Sequence, residues 1–204
     1  GMQSHLLKRH GVEGLVVLAA GGFQTGRGLE KLVQAYASTL GASEDWTLVL
    51  AGEGPEMSNL RALGNIKGIA ARMILVERPR PEELPALVSA ATLMVDPDGS
   101  GRGPRRTTLG GLASGTPLLG VPGSLQASLV ERGVGMLAED GSEAALAHIL
   151  RVAASDPGRR ARWSAMAQSL TAEELAWESV ATRVEQLLLG ESGNSSPSGA
   201  LRIA

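Results

Sequence analysis

The sequence predicts an α/β fold in which one doubly wound sheet of parallel strands carries helices on both faces. Six short runs rich in valine, leucine and isoleucine are each bounded by glycine, proline or charged residues, as buried parallel strands are. Amphipathic segments separate these runs, and strand–helix alternation at this rhythm is typical of βαβ units. The predicted strands are residues 15–20, 47–51, 73–76, 93–95, 117–121 and 134–137.

Two amphipathic segments predict helices between these strands. In residues 29–40 the apolar side chains recur at helical spacing, which places them on one face. In residues 81–91, Pro81 stands at the helix entrance, and the two glutamates after it suit the positive end of the helix dipole. The apolar residues of the first segment are Leu29, Leu32, Val33, Tyr36 and Leu40.

The last third of the chain is predicted to be helical. Ser142 begins a helix that runs to about Ser155, and Asp156 with the proline after it begins another. Thr171 and Glu174 form a capping-box pattern for a third helix, which ends near Leu189.

These elements predict one folded domain with short flanking segments, as a length of 204 residues allows. We assign residues 1–13 to a lead-in segment, 14–190 to the folded domain and 191–204 to a flexible tail. The stretch GESGNSSPSG that starts at Gly190 has low complexity, which is typical of disordered chain.

Composition excludes several classes of function. A formal net charge of −2, from 19 Lys and Arg against 21 Asp and Glu, gives no support for nucleic-acid binding, which needs a basic face. The chain has no cysteine, so disulfides, thiolate catalysis and cysteine-based zinc sites are excluded. His5, His10 and His148 show no metal-ligand spacing, and we expect neither a metal nor another cofactor.

Hydropathy predicts a protein of the cytoplasm. No apolar run approaches the roughly 18–20 residues that a membrane-spanning helix needs. The first ten residues lack the apolar core of a signal peptide. We therefore expect membrane contact, at the inner face, only through parts of a full-length protein outside this chain.

The loop after the fourth predicted strand carries the most informative residues. Arg105, Arg106, Thr107 and Thr108 stand at the expected first turn of a helix. Backbone N–H groups there are unpaired and the helix dipole favours an anion, so two guanidiniums and two hydroxyls beside them make a phosphate cradle. The alternative is an ordinary surface loop with two solvated arginines.

A glycine-rich loop follows the first predicted strand. Gly21 and Gly22 let the backbone approach a phosphate closely, and Arg27 neutralises it. The stretch is not GxGxxG in the correct register, and the second strand lacks the acidic residue that binds a dinucleotide ribose. These departures argue against a dehydrogenase, and a glycine turn that only closes βα geometry remains the alternative.

Glu53 follows the second predicted strand and has two interpretations. Its carboxylate accepts hydrogen bonds either from ribose hydroxyls or from the first turn of the helix that follows. The capping role is the favoured interpretation.

Six stretches in this order resemble the carboxyl-terminal domain of group-1 (family 4) glycosyltransferases. They are GGFQTGRGLEKLVQAY, WTLVLAGEGP, RPEELPALVSAATLMVDPD, TTLGGLASGTPLLGVPG, GVGMLAEDGSEAALAHIL and AWESVATRVEQLL, and the resemblance extends over about residues 16–189. The resemblance implies one Rossmann-like domain with a parallel sheet of about six strands, which is half of the two-domain GT-B fold. In that family this half binds the nucleotide-sugar donor.

Several family positions are matched here and others differ. Gly21 matches a family glycine, but Gly22 stands where an arginine is expected; Arg27 and the glycine after it match a Lys-Gly pair. The family's two glutamates, eight residues apart, are replaced by Arg102 and Gly110. The stretch 105–109 fits an Arg-Arg-x-Thr-Leu-like variant found in some members, which implies a divergent donor site.

The resemblance implies a sugar donor, a partner domain and a division of roles. Arg27, Arg105 and Arg106, expected as exposed loop cations, would hold the diphosphate with Gly21, Gly22, Thr107 and Thr108, and Glu53, Glu77 and Arg78 would line the nucleoside side. The general base and the acceptor site would come from an amino-terminal Rossmann-like domain outside this chain. The substrate is then a nucleotide diphosphate sugar, without a cofactor.

A non-enzymatic function is the alternative interpretation. The chain would then be a nucleotide-binding or scaffolding module that kept the fold and lost catalysis. The absent glutamates favour this hypothesis, whereas the retained arginines favour a donor site.

Overall fold

The structure, a computed structural model, describes residues 12, 14–100, 106–124 and 127–189. All six predicted strands are present, and helices alternate with them along the chain. The strands are β1 Leu15–Gly22, β2 Trp46–Glu53, β3 Met73–Glu77, β4 Leu93–Asp96, β5 Leu118–Gly120 and β6 Gly135–Leu137. The helices are α1 Leu29–Thr39, α2 Met57–Ile66, α3 Glu83–Ala90, α4 Arg106–Ala113, α5 Glu143–Ser155, α6 Pro157–Leu170 and α7 Trp177–Leu188.

The six strands form one parallel sheet in the order β3-β2-β1-β4-β5-β6. The chain builds outward from β1 to β3, then returns to pair β4 with the other side of β1. Pairing between β1 and β2 covers eight residue pairs, whereas that between β1 and β4 covers only Val17 with Leu93 and Leu18 with Met94. The strand order therefore reverses between β1 and β4, where such sheets bind ligands.

Alternate residues of β1 serve two separate hydrophobic cores, as the period of a strand dictates. Val17 and Ala19 pack in a cluster with residues of α1, α2 and α5. Val16 and Leu18 pack on the opposite face in a cluster with residues of α3, α4 and α6. Helices thus cover both faces, and the predicted doubly wound α/β fold is confirmed.

Three helix starts were predicted near the carboxyl end of the chain, and the structure confirms two of them. The Ser142 hydroxyl accepts from the Ala145 N–H, and a carboxylate oxygen of Asp156 accepts from the Arg159 N–H, so both are N-caps. The start at Thr171 is wrong: α6 continues to Leu170 and passes into a π-helical turn, Thr171–Leu175. The Thr171 hydroxyl donates to a carbonyl of α6, and the last helix begins only at Trp177.

Parts of the chain that the sequence assigned to flanking segments lie outside the described residues. These are 1–11, 13 and 191–204, and residue 190 at the end of the assigned domain also lies outside them, so the predicted boundaries of the lead-in and tail stay predictions. Val12, at the end of the assigned lead-in, is buried in the second core. Within the ranges given above, no helix is long and apolar enough to cross a bilayer.

A buried tyrosine joins α1 to the start of β2. The Tyr36 side chain is fully buried, and its hydroxyl donates to the Trp46 carbonyl at 2.8 Å. Burial raises the pKa of Tyr36 to about 12, because the phenolate would lose its hydration, although the nearby charge of Arg72 acts in the opposite direction.

We expect the stability of the domain to fall as pH rises from about 10 to about 12. In this window the tyrosine of the unfolded chain ionises while Tyr36 in the fold stays neutral, so the unfolded state is favoured. The loss approaches about 3 kcal/mol above this window. Because Tyr36 is the only tyrosine of the sequence, tyrosinate absorbance reports on it alone. Urea unfolding of wild type and Tyr36→Phe across this range gives the difference; parallel pH profiles for both proteins would contradict the expectation.

Candidate functional site

A cleft lies at the carboxyl edge of the sheet, where the loops after β1 and β4 meet. Its lining includes both predicted glycines of the first loop, the phenylalanine after them and the predicted arginine, together with the last residue of β4 and the proline that follows it. These residues are Gly21, Gly22, Phe23, Arg27, Asp96 and Pro97. The cleft therefore coincides with the reversal of strand order described above.

Glycines allow the loops around the cleft to pack backbone against backbone. Gly28 has φ 73°, a left-handed conformation that favours glycine, and a Cβ there would overlap the Pro97 carbonyl. A Cβ on Gly54 would overlap the backbone of Phe23 in the same way. The loops that follow the neighbouring strands β2, β1 and β4 are thus in direct contact, and the loops of β2 and β4 fix the position of the β1 loop.

Arg27 is enclosed and paired, which corrects the expectation of an exposed cation. Its side chain is 16% exposed, and its Nη1 lies 3.6 Å from Oδ2 of Asp98, which is 4% exposed. The β4 loop that carries Asp98 is ordered by its own carboxylates: Asp96 accepts from the Asp98 N–H, and Asp98 from the Ser100 N–H. The guanidinium therefore lies in the cleft, but a carboxylate already faces it.

The first turn of α4 reaches the same edge of the sheet. Arg106 begins this helix and is exposed, Thr107 is half-buried and Thr108 is buried. The predicted site residue Arg105 lies outside the described residues. The described part of the predicted phosphate cradle thus stands at the start of a helix that follows the strand next to β1.

Gly110 stands at one of the two positions where the resemblance implies a glutamate. It is half-buried in α4, and a Cβ built on it would lie 3.8 Å from the Val88 side chain, an ordinary contact distance. The surroundings therefore leave room for a side chain at this position, although the chain has none.

The structure brings Glu53, Glu77 and Arg78 together at the ends of β2 and β3. Glu53 Oε2 accepts from Nε of Arg78 at 2.7 Å, and the Arg78 N–H donates to the carbonyl that precedes Glu53. Glu77 pairs with Arg61 of α2. The favoured capping role of Glu53 is wrong: the N-cap position of α2 is Glu56, which makes no side-chain cap bond.

Three residues that sequence reasoning did not select, Thr25, Glu56 and Asn59, hold the glycine loop against the start of α2. The Thr25 hydroxyl donates to Glu56 at 2.6 Å, and the Asn59 amide donates to the other carboxylate oxygen. The Thr25 hydrogen bond, then that of Asn59, lowers the pKa of Glu56. A threonine in the first loop and an acid in the second give no sequence signal, because only the fold brings them together.

Metal-binding groups do not cluster in the part of the chain that the structure describes. Within those residues no group of three His, Asp or Glu side chains could hold a metal ion. The expectation that no cofactor is needed stays a prediction.

Comparison with known proteins gives one family. A family model described as "Glycosyl transferases group 1" matches residues 14–156. A search of the curated proteins found no match. Among solved structures, the C-terminal domain of the glycosyl transferase group 1 family protein LpcC from Francisella tularensis is similar, with TM-score 0.74 and 20% identity; the match covers 86% of this chain and 93% of that one.

Two larger proteins share the same fold. HepE from Anabaena, solved in complex with UDP, has TM-score 0.80 and 20% identity over 92% of this chain and 52% of that one. Sucrose-phosphate synthase from Thermosynechococcus elongatus has TM-score 0.74 and 22% identity over 94% and 49%. The present chain therefore spans about half the length of these two proteins.

Proposed function

The chain belongs to the group 1 glycosyltransferases, and from that premise we propose that it is the donor-binding half of an enzyme that transfers a sugar from a nucleoside-diphosphate sugar. The observation that carries this proposal is the cleft between the β1 and β4 loops. It combines close backbone approach at Gly21 and Gly22 with the guanidinium of Arg27. Such a combination suits a diphosphate, which binds where the backbone can be approached closely and a positive charge is near.

Arg106 and the start of α4 would supply the second half of the diphosphate site. Unpaired N–H groups of a first turn favour an anion, and the Thr107 and Thr108 hydroxyls lie in that turn. Arg105 belongs to the same proposed cradle. These charges would stabilise the diphosphate that leaves when the sugar is transferred. The nucleoside side would be lined by three charged residues at the ends of β2 and β3, which are one and two strands away from β1. These residues are Glu53, Glu77 and Arg78.

A second domain would supply the acceptor site and the general base. Two observations support it: the chain spans about half of HepE and sucrose-phosphate synthase, and α7 exposes an apolar stripe. Val184, Leu187 and Leu188 of that stripe are 49%, 72% and 82% exposed. Such a patch typically contacts another protein surface. A cytoplasmic location, with membrane contact through that second domain, remains part of the proposal.

One observation favours a non-catalytic nucleotide-binding module as the second candidate. Arg102 and Gly110 replace the two family glutamates, and neither supplies a carboxylate for a ribose or sugar hydroxyl. A scaffold that has lost all ligands would bind no nucleotide, so binding experiments separate it from a donor site. A module that kept nucleotide binding would be separated from a donor site only by the absence of sugar transfer when the second domain is present.

We expect the chain to bind UDP more tightly than UMP, with an affinity that falls as salt rises. A diphosphate engages both loops, whereas a monophosphate engages one, and exposed Arg106 is screened over about 8 Å at physiological ionic strength. Arg106→Ala is expected to weaken UDP binding by about tenfold, as for one charge-assisted hydrogen bond at an exposed site. Isothermal titration calorimetry measures all three effects.

Arg151→Ala is the matched control, because Arg151 is an exposed helical arginine of α5, toward the far end of that helix from the cleft. Equal losses in both variants would show that the effect is general charge. Absence of binding by wild type to UDP, ADP and GDP alike would refute the donor site and favour the scaffold.

A further inference from the structure

Arg78 has a backbone conformation that its side chain disfavours. Its φ is 46°, and among the residues that the structure describes it is the only one besides glycines with a positive φ. This left-handed region is unfavourable for a residue with a Cβ, because the Cβ approaches the carbonyl oxygen that follows it. Strained residues persist where the surrounding structure fixes them, and they cluster at sites that bind ligands.

Two hydrogen bonds fix Arg78 to the end of β2. Its N–H donates to the Gly52 carbonyl at 3.0 Å, and its Nε donates to Oε2 of Glu53 at 2.7 Å. Backbone and side chain are thus bound to consecutive residues of the neighbouring strand. The two Nη groups donate to no other residue in the described part of the chain, and the side chain is 82% exposed. The guanidinium therefore presents its remaining N–H donors to solvent from a fixed position.

Arg78 lies two strands from the glycine loop of the proposed donor site. Gly21 of β1 is paired with Gly52 of β2, and Gly52 is paired with Glu77 of β3. Neighbouring strands lie about 4.8 Å apart, so Arg78 stands roughly 10 Å from the backbone of Gly21 along the carboxyl edge. A nucleoside diphosphate with its phosphates at the glycine loop and its ribose directed toward β3 would bring its base to the guanidinium.

The bases differ in what their edges offer to such a donor. Guanine presents the acceptors O6 and N7, and the O4 of uracil is an acceptor too, whereas adenine carries an amino group in place of the carbonyl. A guanidinium N–H therefore pairs with the carbonyl oxygen of guanine or uracil, but meets another donor on adenine.

We propose that Arg78, held by its left-handed backbone and by Glu53, selects nucleoside diphosphates whose base carries a carbonyl oxygen, uracil or guanine, over those of adenine. This inference rests on the proposed donor site. The guanidinium adds affinity by donating to that oxygen. Because salt screens its charge over about 8 Å at physiological ionic strength, a bare diphosphate at the glycine loop gains little from it.

The test is calorimetric titration of wild type and Arg78→Ala with UDP, GDP, ADP and inorganic pyrophosphate. Wild type is expected to bind UDP and GDP about fivefold more tightly than ADP, the lower end of base discrimination by one arginine, because the side chain is exposed. Arg78→Ala is expected to bind the three nucleotides alike and to keep the wild-type affinity for pyrophosphate.

Arg78→Gly separates the backbone from the guanidinium. Both variants lack the guanidinium, so both are expected to lose the preference. Glycine adopts a φ of 46° freely and alanine does not, so Arg78→Gly is expected to have the higher urea midpoint of the two. Equal midpoints would mean that the backbone is not strained, and the inference that it holds the guanidinium in place would be overturned.

Arg61→Ala is the matched control. Arg61 is an exposed arginine in the neighbouring ion pair with Glu77, and its removal changes the net charge by the same amount. The preference for UDP and GDP over ADP is expected to survive in this variant. Loss of the preference in Arg61→Ala as well would show that any charge at this edge suffices, against the inference.

The results separate this inference from the proposed donor site. If wild type binds nucleotides without preferring UDP and GDP, or if Arg78→Ala keeps the preference, the inference fails while the donor site stands. If Arg78→Ala weakens pyrophosphate as much as UDP, the guanidinium acts only as a charge and the inference also fails. If wild type binds none of the nucleotides, both fail.

Discussion

Supplied with UDP-glucose or any other sugar donor and a panel of acceptors, the 204-residue chain is expected to fold and to transfer no sugar. The cleft between the β1 and β4 loops is one wall of the proposed active site, and the acceptor and general base would come from another domain. Positioning two reactants accounts for roughly 7–11 kcal/mol of barrier reduction, so its loss removes about five to eight orders of magnitude in rate.

Mass spectrometry of the reaction mixture detects both transfer to acceptor and hydrolysis of the donor. Nucleotide titration of the same preparation serves as its control, because bound UDP shows that the donor half is intact. Turnover above the uncatalysed rate by this chain alone would mean that the reacting groups all lie within it, and the proposed division between two domains would be wrong.

The second large effect is expected at Gly28, where the β1 loop touches the β4 loop. A side chain there both forces a left-handed backbone, at about 1–2 kcal/mol, and overlaps the Pro97 carbonyl. Gly28→Ala is therefore expected to destabilise the domain by about 3 kcal/mol or more and to abolish nucleotide binding. Urea denaturation measures the first effect and calorimetry the second.

Gly26 is a close control in the same loop. Its φ of 80° is also left-handed, but a Cβ built on it meets nothing within 4 Å. Gly26→Ala is thus expected to lose only about 1–2 kcal/mol through the backbone term. Similar losses for the two variants would show that backbone conformation matters and that contact with Pro97 does not.

The sequence predicted the strands because burial on both faces leaves short apolar runs between glycines and charges, a local signal. It also predicted the N-caps at Ser142 and Asp156, where one side chain decides the helix start. The capping-box pattern at Thr171 predicted a helix start that the structure does not have, because the helical hydrogen bonds of α6 continue beyond that residue. Local chemistry allowed both outcomes, and packing of α6 decided between them.

The candidate site was predictable as a set of loops, but not as a set of contacts. Parallel strands place the glycine loop and the start of α4 at one edge, which spacing alone implies. That Arg27 faces Asp98, and Glu53 faces Arg78, depends on which strands become neighbours. No pattern within either loop reveals a partner that lies several elements away in the chain.

The short pairing between β1 and β4 divides the sheet into two halves that are each continuous in sequence. Two residue pairs, with hydrogen bonds between Val16 and Thr92, join β3-β2-β1 to β4-β5-β6, whereas eight pairs join β1 to β2. Cooperative units revealed by hydrogen exchange often follow such supersecondary boundaries. The cleft lies on this seam, so a ligand that touches both loops fastens the two units together. Binding of such a ligand would couple to the cooperativity of unfolding through the architecture of the sheet.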